Sequence, residues 1–275
     1  FSWDGVSLQW DKVHIPTGYG PRKCWSAAMA THYGRLYIFG GCNYSASLNT
    51  LWIYDLEKER WTQVPDPNAA VKSLEGIPAA RDGAALTVWI ERNEMGVIPT
   101  DERNQSAHLV LYGGTTKQGD PISDGVHLYN LRTGFWSKLE TTGDAPSPSD
   151  EVYCTTDPNQ AGGETMYVMQ SGGGAMQLWQ LHLPTRVWRR MVPTGSPPSG
   201  RKSTACCTLA HCWAVIGGLE RTTPLGDVHL YDFRANRWTT IAPQSRGVDP
   251  MPARSAHQVA VLNGQLYVMT GRGRE

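Results

Sequence analysis

VHLYNLRTGFW (126–136) and VHLYDFRANRW (228–238) are one segment written twice: an apolar run, then Asn130 or Asp232, then a tryptophan six residues on. Two further copies read LWIYDLEKERW (51–61) and LWQLHLPTRVW (178–188), with Asp55 and His182 at the position of the Asn or Asp. Trp10 follows Asp4 by the same six residues. The tryptophans at 10, 61, 136, 188 and 238 are thus 51, 75, 52 and 50 residues apart, a period near fifty with one insertion of about twenty-five. Self-similarity at such a period marks an array of identical supersecondary units rather than a single irregular core.

Upstream of each copy lies another apolar run: LYIFGG (36–41), LVLYGG (109–114), MYVMQSGGG (166–174), WAVIGG (213–218) and LYVMTG (266–271). The third carries a displaced glycine set and the fifth has Thr270 for the first glycine. Before each of these runs a proline-containing turn leads into a strand of small residues, as in PRKCWSAAMA, PAARDGAALTV and PSGRKSTACCTLA. Alternating apolar runs bounded by Gly and Pro read as strands. Each unit is therefore four short strands.

The repeated diglycine, the Tyr-Asp pair (Tyr54-Asp55, Tyr231-Asp232) and the tryptophan six residues later resemble the kelch-repeat family along essentially the whole chain. The resemblance implies an all-β fold, a β-propeller of four-stranded blades around a central channel. Phe1 to Val13 matches the last two strands of a blade and Arg254 to Met269 the first two. The reading is a single domain, 1–275, with half blades at 1–13 and 252–271 and full blades at 21–64, 78–139, 146–191 and 198–241. That makes about five blades if the two halves pair, or part of a six-bladed ring. Trp61, Trp136, Trp188 and Trp238 are expected between blades, each burying on the order of 150–250 Å².

Composition limits the partners. Twenty-five basic residues balance twenty-five acidic ones. No excess of positive charge points to nucleic acid or an anionic membrane, and no run of eighteen apolar residues predicts a spanning helix. The absence of an initiator Met suggests a fragment or processed chain, one domain or subunit of a larger assembly. The six cysteines are read as reduced thiols of a cytoplasmic protein; the sequons at Asn43 and Asn104 oppose this only weakly. Cys206, Cys207 and Cys212 with His211 lack a C-x-x-C pair and are read as small hydrophobes of a strand.

Function is expected on the loops. Connections from second to third strand and between blades share one face: 42–50, 115–125, 172–177 and 219–227, with interblade segments 65–80 and 141–149. The polar insertion 91–107 emerges on the other, as a flexible loop or a separate docking site. The interblade turns carry a recurrent arginine, Arg22, Arg81, Arg201 and Arg254, replaced by Asp150 in the third full repeat. Converging guanidiniums suit a carboxylate or phosphate, and kelch propellers are similar in binding peptides on arginine-bearing faces. The same arginines could instead serve the backbone carbonyls of their own turns. Tyr19, Tyr44, Lys117 and Arg221 are further candidate anchors. No G-x-S-x-G, H-E-x-x-H, Walker or dinucleotide motif occurs, and His127 and His229 lie in separate blades.

The chain thus reads as a non-catalytic protein-interaction module without cofactor, whose partner is a protein, with an acidic peptide as one form. The alternatives are a kelch metalloenzyme, iron-dependent like nitrile-specifier proteins or copper-dependent like galactose oxidase, and a ubiquitin-ligase substrate adaptor. The first lacks an E-x-x-x-D-x-x-x-H run; the second needs BTB and BACK segments outside this chain.

Overall fold

The computed structural model describes residues 20–65, 76–157, 160–241 and 251–273. The alternating runs become strands in sets of four. The first antiparallel sheet contains β1 (Ala28–His32), β2 (Arg35–Phe39), β3 (Leu51–Asp55) and β4 (Arg60–Val64). The second contains β5 (Ala85–Glu91), β6 (Ser106–Tyr112), β7 (Val126–Asn130) and β8 (Trp136–Leu139). After the two-residue β9 (Thr142–Gly143), the third is built from β10 (Val152–Thr156), β11 (Thr165–Gly172), β12 (Ala175–His182) and β13 (Val187–Arg190). The fourth follows as β14 (Ala205–Leu209), β15 (Cys212–Glu220), β16 (Thr223–Asp232) and β17 (Arg237–Ile241). The chain then forms β18 (Arg254–Ser255), β19 (Gln258–Leu262), β20 (Gln265–Met269) and β21 (Arg272–Gly273), with β19 and β20 as a hairpin.

The protein is an all-β propeller; among the described residues it has four complete blades and a fifth represented by β19 and β20. The two strands expected at 1–13 lie outside the described residues, as does Tyr19. First strands of successive blades touch in order, β1 on β5, β5 on β10, β10 on β14 and β14 on β19, and so form the inner wall.

The Tyr-Asp-to-Trp spacing has a local cause. Tyr54, Tyr129 and Tyr231 stand directly across the ladder from Trp61, Trp136 and Trp238, with ring centroids 4.9, 5.2 and 5.2 Å apart. The next residue closes the hairpin. Asp232 Oδ1 accepts from the backbone N–H groups of Arg234 and Ala235, and Asn130 Oδ1 from those of Arg132 and Thr133. Short carboxylate and amide side chains do this because they reach their own backbone two residues on.

Blades bind each other through these tryptophans. Phe39 and Leu51 of the first blade share a core with Leu109, Leu111 and Trp136 of the second; Val110 and Val126 pack with Val168 and Trp188 of the third; Met169 and Leu178 pack with Val215 and Trp238 of the fourth. Each fully buried large apolar side chain contributes about 1.5–3 kcal/mol. The segment leading into a blade first passes behind that blade's last strand, where β9 pairs parallel with β13 and Thr194 bridges Arg237. A glycine makes this possible. A Cβ on Gly195 would collide with the carbonyl oxygen of Trp238, and Gly143 stands in the same relation to Trp188.

In the third and fourth blades the expected loops 172–177 and 219–227 are largely strand: β11 runs into β12 through Gly173-Gly174, and β15 into β16 through Arg221-Thr222. The insertion 91–107 is a strap. Asn93 Oδ1 accepts from the N–H groups of Met95 and Val97, and Asp101 caps a 3-10 turn at Glu102–Asn104. Arg35 Nη1 of the first blade donates to Glu102 Oε1 at 2.9 Å, Gln105 Nε2 donates to the Tyr33 hydroxyl at 2.9 Å, and Arg92 pairs with Glu164 of the third blade.

Trp238→Ala should destabilise the protein by about 3–5 kcal/mol in urea denaturation. Trp238→Phe should cost well under half of that, because the indole N–H it removes is buried without an acceptor.

Candidate functional site

The face carrying the second-to-third-strand connections is built from a turn repeated in the first, second, fourth and fifth blades. Trp25 pairs with Cys42, Asp82 with Thr115, Lys202 with Leu219, and Arg254 and Ser255 with Gly273 and Arg272. Neighbouring turns are joined. Gly83 N–H donates to Ser26 O at 2.8 Å and Ala256 N–H to Ser203 O at 2.8 Å. Between the third and fourth blades the acceptor is a side chain: both oxygens of Glu151 accept from Ser203 N–H, at 2.9 and 2.8 Å. Burial raises the Glu151 carboxyl above its ordinary range, opposed by that backbone hydrogen bond.

The recurrent arginine sits in these turns. In three blades Nε donates to the carbonyl two residues back, Ala79, Ser199 or Pro252, and Nη1 donates to the first carbonyl of the diglycine step, Gly113, Gly217 or Thr270. Thr270 adopts φ 61°, the left-handed value that glycine supplies at 113 (69°) and 217 (53°). Arg81 and Arg201 are 0% and 2% exposed, and each also forms a two-pronged pair with a carboxylate, Asp124 or Asp227. His229 Nε2 lies 2.8 Å from Asp227, and His127 Nε2 lies 3.0 Å from Asp124, so the two equivalent histidines orient the acids of two equivalent latches.

Arg81 and Arg201 are therefore committed within their blades, and their guanidiniums do not reach a partner at the channel mouth. Arg254 is half-buried and meets no carboxylate among the described residues; Arg22 is exposed and lies outside the recurrent set, because the register of the first blade puts Cys24 in the arginine's place. Asp124 and Asp227 were missed in the sequence, although each precedes a VHLY run. In the third blade the strand register puts Ser149, not Asp150, in the arginine's place; Asp150 is the counterpart of Asp82 and Lys202, and it pairs with Lys202 of the next blade.

The structure joins Tyr44 and Lys117 around a residue that sequence reasoning passed over, Trp25. Its indole is 45% exposed and Tyr44 is 94% exposed; their rings meet edge-on at 5.3 Å. Lys117 reaches across from the second blade, its Nζ 5.3 Å from the Trp25 ring centroid and 2.7 Å from the carbonyl of Asn43. Trp25 also borders a cavity of about 670 Å³ whose wall includes Glu151, Ser203, His257 and Arg272. The lining thus comes from the first, third, fourth and fifth blades around the inner wall. Arg221 stands apart at the β15–β16 hairpin tip.

Comparison with known proteins agrees with this architecture. Residues 95–271 match the KLHDC2/KLHL20/DRC7 Kelch-repeats domain, and residues 26–68 match the Kelch motif. The chain belongs to the kelch-repeat family. It is 26% identical over 268 residues to Multiple epidermal growth factor-like domains protein 8 of Mus musculus, covering 93% of this chain and 9% of that protein. It is 26% identical over 276 residues to Acyl-CoA-binding domain-containing protein 5 of Arabidopsis thaliana, covering 98% and 39%. Against Kelch domain-containing protein 2 of Bos taurus the identity is 24% over 248 residues, 84% of this chain and 57% of the relative. The kelch chain thus spans only part of each of these proteins. Among the described residues no helix is long and apolar enough to cross a membrane.

The latches predict a pH dependence. Burial alone would raise Asp124 and Asp227, but hydrogen bonds from His127 or His229 and from Arg81 or Arg201, with the guanidinium charge, hold them well below the usual carboxylate range. A carboxyl depressed on folding contributes stability that is complete above its unfolded value, about 4, and is lost as pH falls toward the folded value. Asp227→Asn should therefore flatten the decline in stability between about pH 4 and 2, measured by denaturant midpoints. Arg201→Ala should cost about 3 kcal/mol at neutral pH. Arg254→Ala should cost about 1 kcal/mol, as for ordinary hydrogen bonds.

Proposed function

We propose that this propeller is a non-catalytic protein-interaction module that holds a segment of a protein partner on the face bearing Trp25, Tyr44 and Lys117. The observation that carries the reading is the exposure of two aromatic rings meeting edge-on with a lysine above one of them, beside a cavity at the inner wall. Large exposed aromatics gain more from a partner than from water, and Trp, Tyr and Arg are the side chains on which interface energy concentrates.

Charge narrows the segment. Arg22, Lys117, Arg221 and Arg272 are exposed on this side of the molecule. Arg81 and Arg201 are spent internally, so the available cations differ from the recurrent set. We take the preferred occupant to be an acidic peptide with an apolar or aromatic residue for the Trp25–Tyr44 surface. Lys117 then supplies steering and orientation more than affinity, as rim charges do.

Panning a random peptide library against the purified chain tests this. Acidic sequences carrying an aromatic or large apolar residue should be enriched, with binding that weakens as salt rises. Trp25→Ala combined with Tyr44→Ala should weaken the selected peptides at least a hundredfold, two hot-spot losses of about 2 kcal/mol each, while leaving the melting temperature within about 2 °C. Equal enrichment on the double variant would place the binding surface elsewhere.

A further inference from the structure

The end of the hairpin in the fourth blade departs from its counterpart in the first in a way that calls for a cation. In the first blade Asp55 divides its carboxylate: Oδ1 accepts from the Lys58 N–H at 3.0 Å, and Oδ2 faces two built-in cations, Arg35 Nε at 3.5 Å and Lys58 Nζ at 3.6 Å. Arg35 stands opposite Asp55 in the ladder. Asp232 divides its carboxylate in the same way, with Oδ1 committed to the turn at Arg234 and Ala235. Around its Oδ2, however, both cations have been replaced. The residue opposite in the ladder is Cys212, and the residue three positions on is Ala235. What faces Oδ2 instead is His211, with Nε2 at 3.3 Å. The charge of Arg234 also acts on Asp232, although its backbone N–H is the group the carboxylate accepts.

The three side chains offer one imidazole nitrogen, one thiol sulfur and one carboxylate oxygen, all within 4.8 Å of one another. Among the described residues this is the one group of three or more such ligands. It lies on the face opposite the Trp25 cavity. His211 is 46% exposed, so an ion can enter without unfolding the blade. Cys206 and Cys207, the neighbours that make the sequence look cysteine-rich, are not in this cluster; Cys206 is packed against the core between the third and fourth blades.

We propose that His211, Cys212 and Asp232 form a binding site for a divalent transition-metal ion of the zinc class. Mixed nitrogen, sulfur and oxygen donors are what zinc selects, at about 2.0–2.3 Å from each ligand. Closing around a tetrahedral ion would draw the three atoms to about 3.3–3.8 Å from each other, a side-chain adjustment rather than a backbone one. Three protein ligands leave the fourth position to water or to a side chain of another molecule. Binding releases the thiol proton to solvent, since the thiolate is the ligand. In the repeat this ion occupies the place that Arg35 and Lys58 fill in the first blade, neutralising the hairpin carboxylate and tying the first turn of the blade to the third strand's end.

The full chain, stripped with a chelator, is titrated with Zn²⁺ by calorimetry and with Co²⁺ by absorbance. One ion per chain is expected, and the Co²⁺ form should carry a thiolate-to-metal charge-transfer band. Cys212→Ser should abolish that band and weaken Zn²⁺ at least tenfold, as should His211→Ala. Asp232→Asn should weaken it while keeping the hairpin, because Asn130 caps the equivalent turn in the second blade. Cys207→Ser should change nothing. No saturable uptake by the wild-type chain, uptake indifferent to Cys212→Ser and His211→Ala, or an equal loss with Cys207→Ser would each overturn the assignment.

Discussion

The second, third and fourth blades depend on one steric arrangement: the indole of the last strand lies against the preceding blade, while the segment leading into the blade crosses that indole's own backbone. Both contacts are needed at once. The indole supplies apolar area between sheets, and the crossing segment must come so close that only a residue without a Cβ fits, as at Gly195 over the carbonyl of Trp238. A four-stranded sheet with this pattern cannot cover its own faces, so neighbouring blades must complete it. The parallel pairing of β9 with β13 shows the crossing segment being used as a fifth strand on the outer edge of the third blade. That edge would otherwise present unpaired backbone groups.

Where the arrangement varies, the hydrogen-bonding task survives and the atoms performing it change. The turn of one blade is joined to the next by a backbone N–H donating to a carbonyl at Ser26 and again at Ser203, whereas between the third and fourth blades the carboxylate of Glu151 takes the carbonyl's part. The blade with this exception is also the one in which Ser149 stands where Arg81 and Arg201 do. Losing the guanidinium removes the group that ties the turn to the diglycine step, and the third blade has no diglycine step there: β11 continues as regular strand into β12. Gln170 partly replaces the tie, its Nε2 donating to the carbonyl of Ser147 at 2.9 Å. Arginine, diglycine and latch carboxylate occur together in the second and fourth blades, and all three are missing from the third.

The fold was legible because its determinants are periodic in sequence. Tyr129 and Trp136 are close in the chain and adjacent in the ladder, so their spacing records a hairpin directly. The site was legible in part. Tyr44 and Lys117 stand out as exposed residues of predicted loops, but their meeting over Trp25 joins two blades, and no local pattern encodes that contact. The arginines misled in an instructive way. Recurrence at equivalent places suggested convergence on a ligand, yet a residue repeated in every blade has the same local environment in each, and for Arg81 and Arg201 that environment is a buried turn. The acids that complete the latches, Asp124 and Asp227, differ by one place relative to their VHLY runs, and this offset hid them.

Recurrence and function therefore run in opposite directions in this molecule. A residue that appears in each repeat answers to the blade; one that appears once answers to something outside it. The position of Trp25 makes the point. Its counterpart in the second blade, Asp82, is fully employed, accepting from the hydroxyls of Ser47 and Thr115 at 3.0 and 3.1 Å and so joining two blades. The counterpart in the fourth blade, Lys202, pairs with Asp150 across the blade boundary. Trp25 holds its strand bridge to Cys42 through backbone atoms alone, which any residue could provide, and its indole is left against Tyr44 and Lys117 with nearly half its area in water. An indole gains little by standing there in the isolated domain, since the apolar surface it exposes is worth about 25 cal/mol per Å² only once it is covered. The contacts that fix the blades employ Asp82, Asp150 and Lys202 at this position and leave the Trp25 indole without such a role, which is why the proposed partner segment is placed on it.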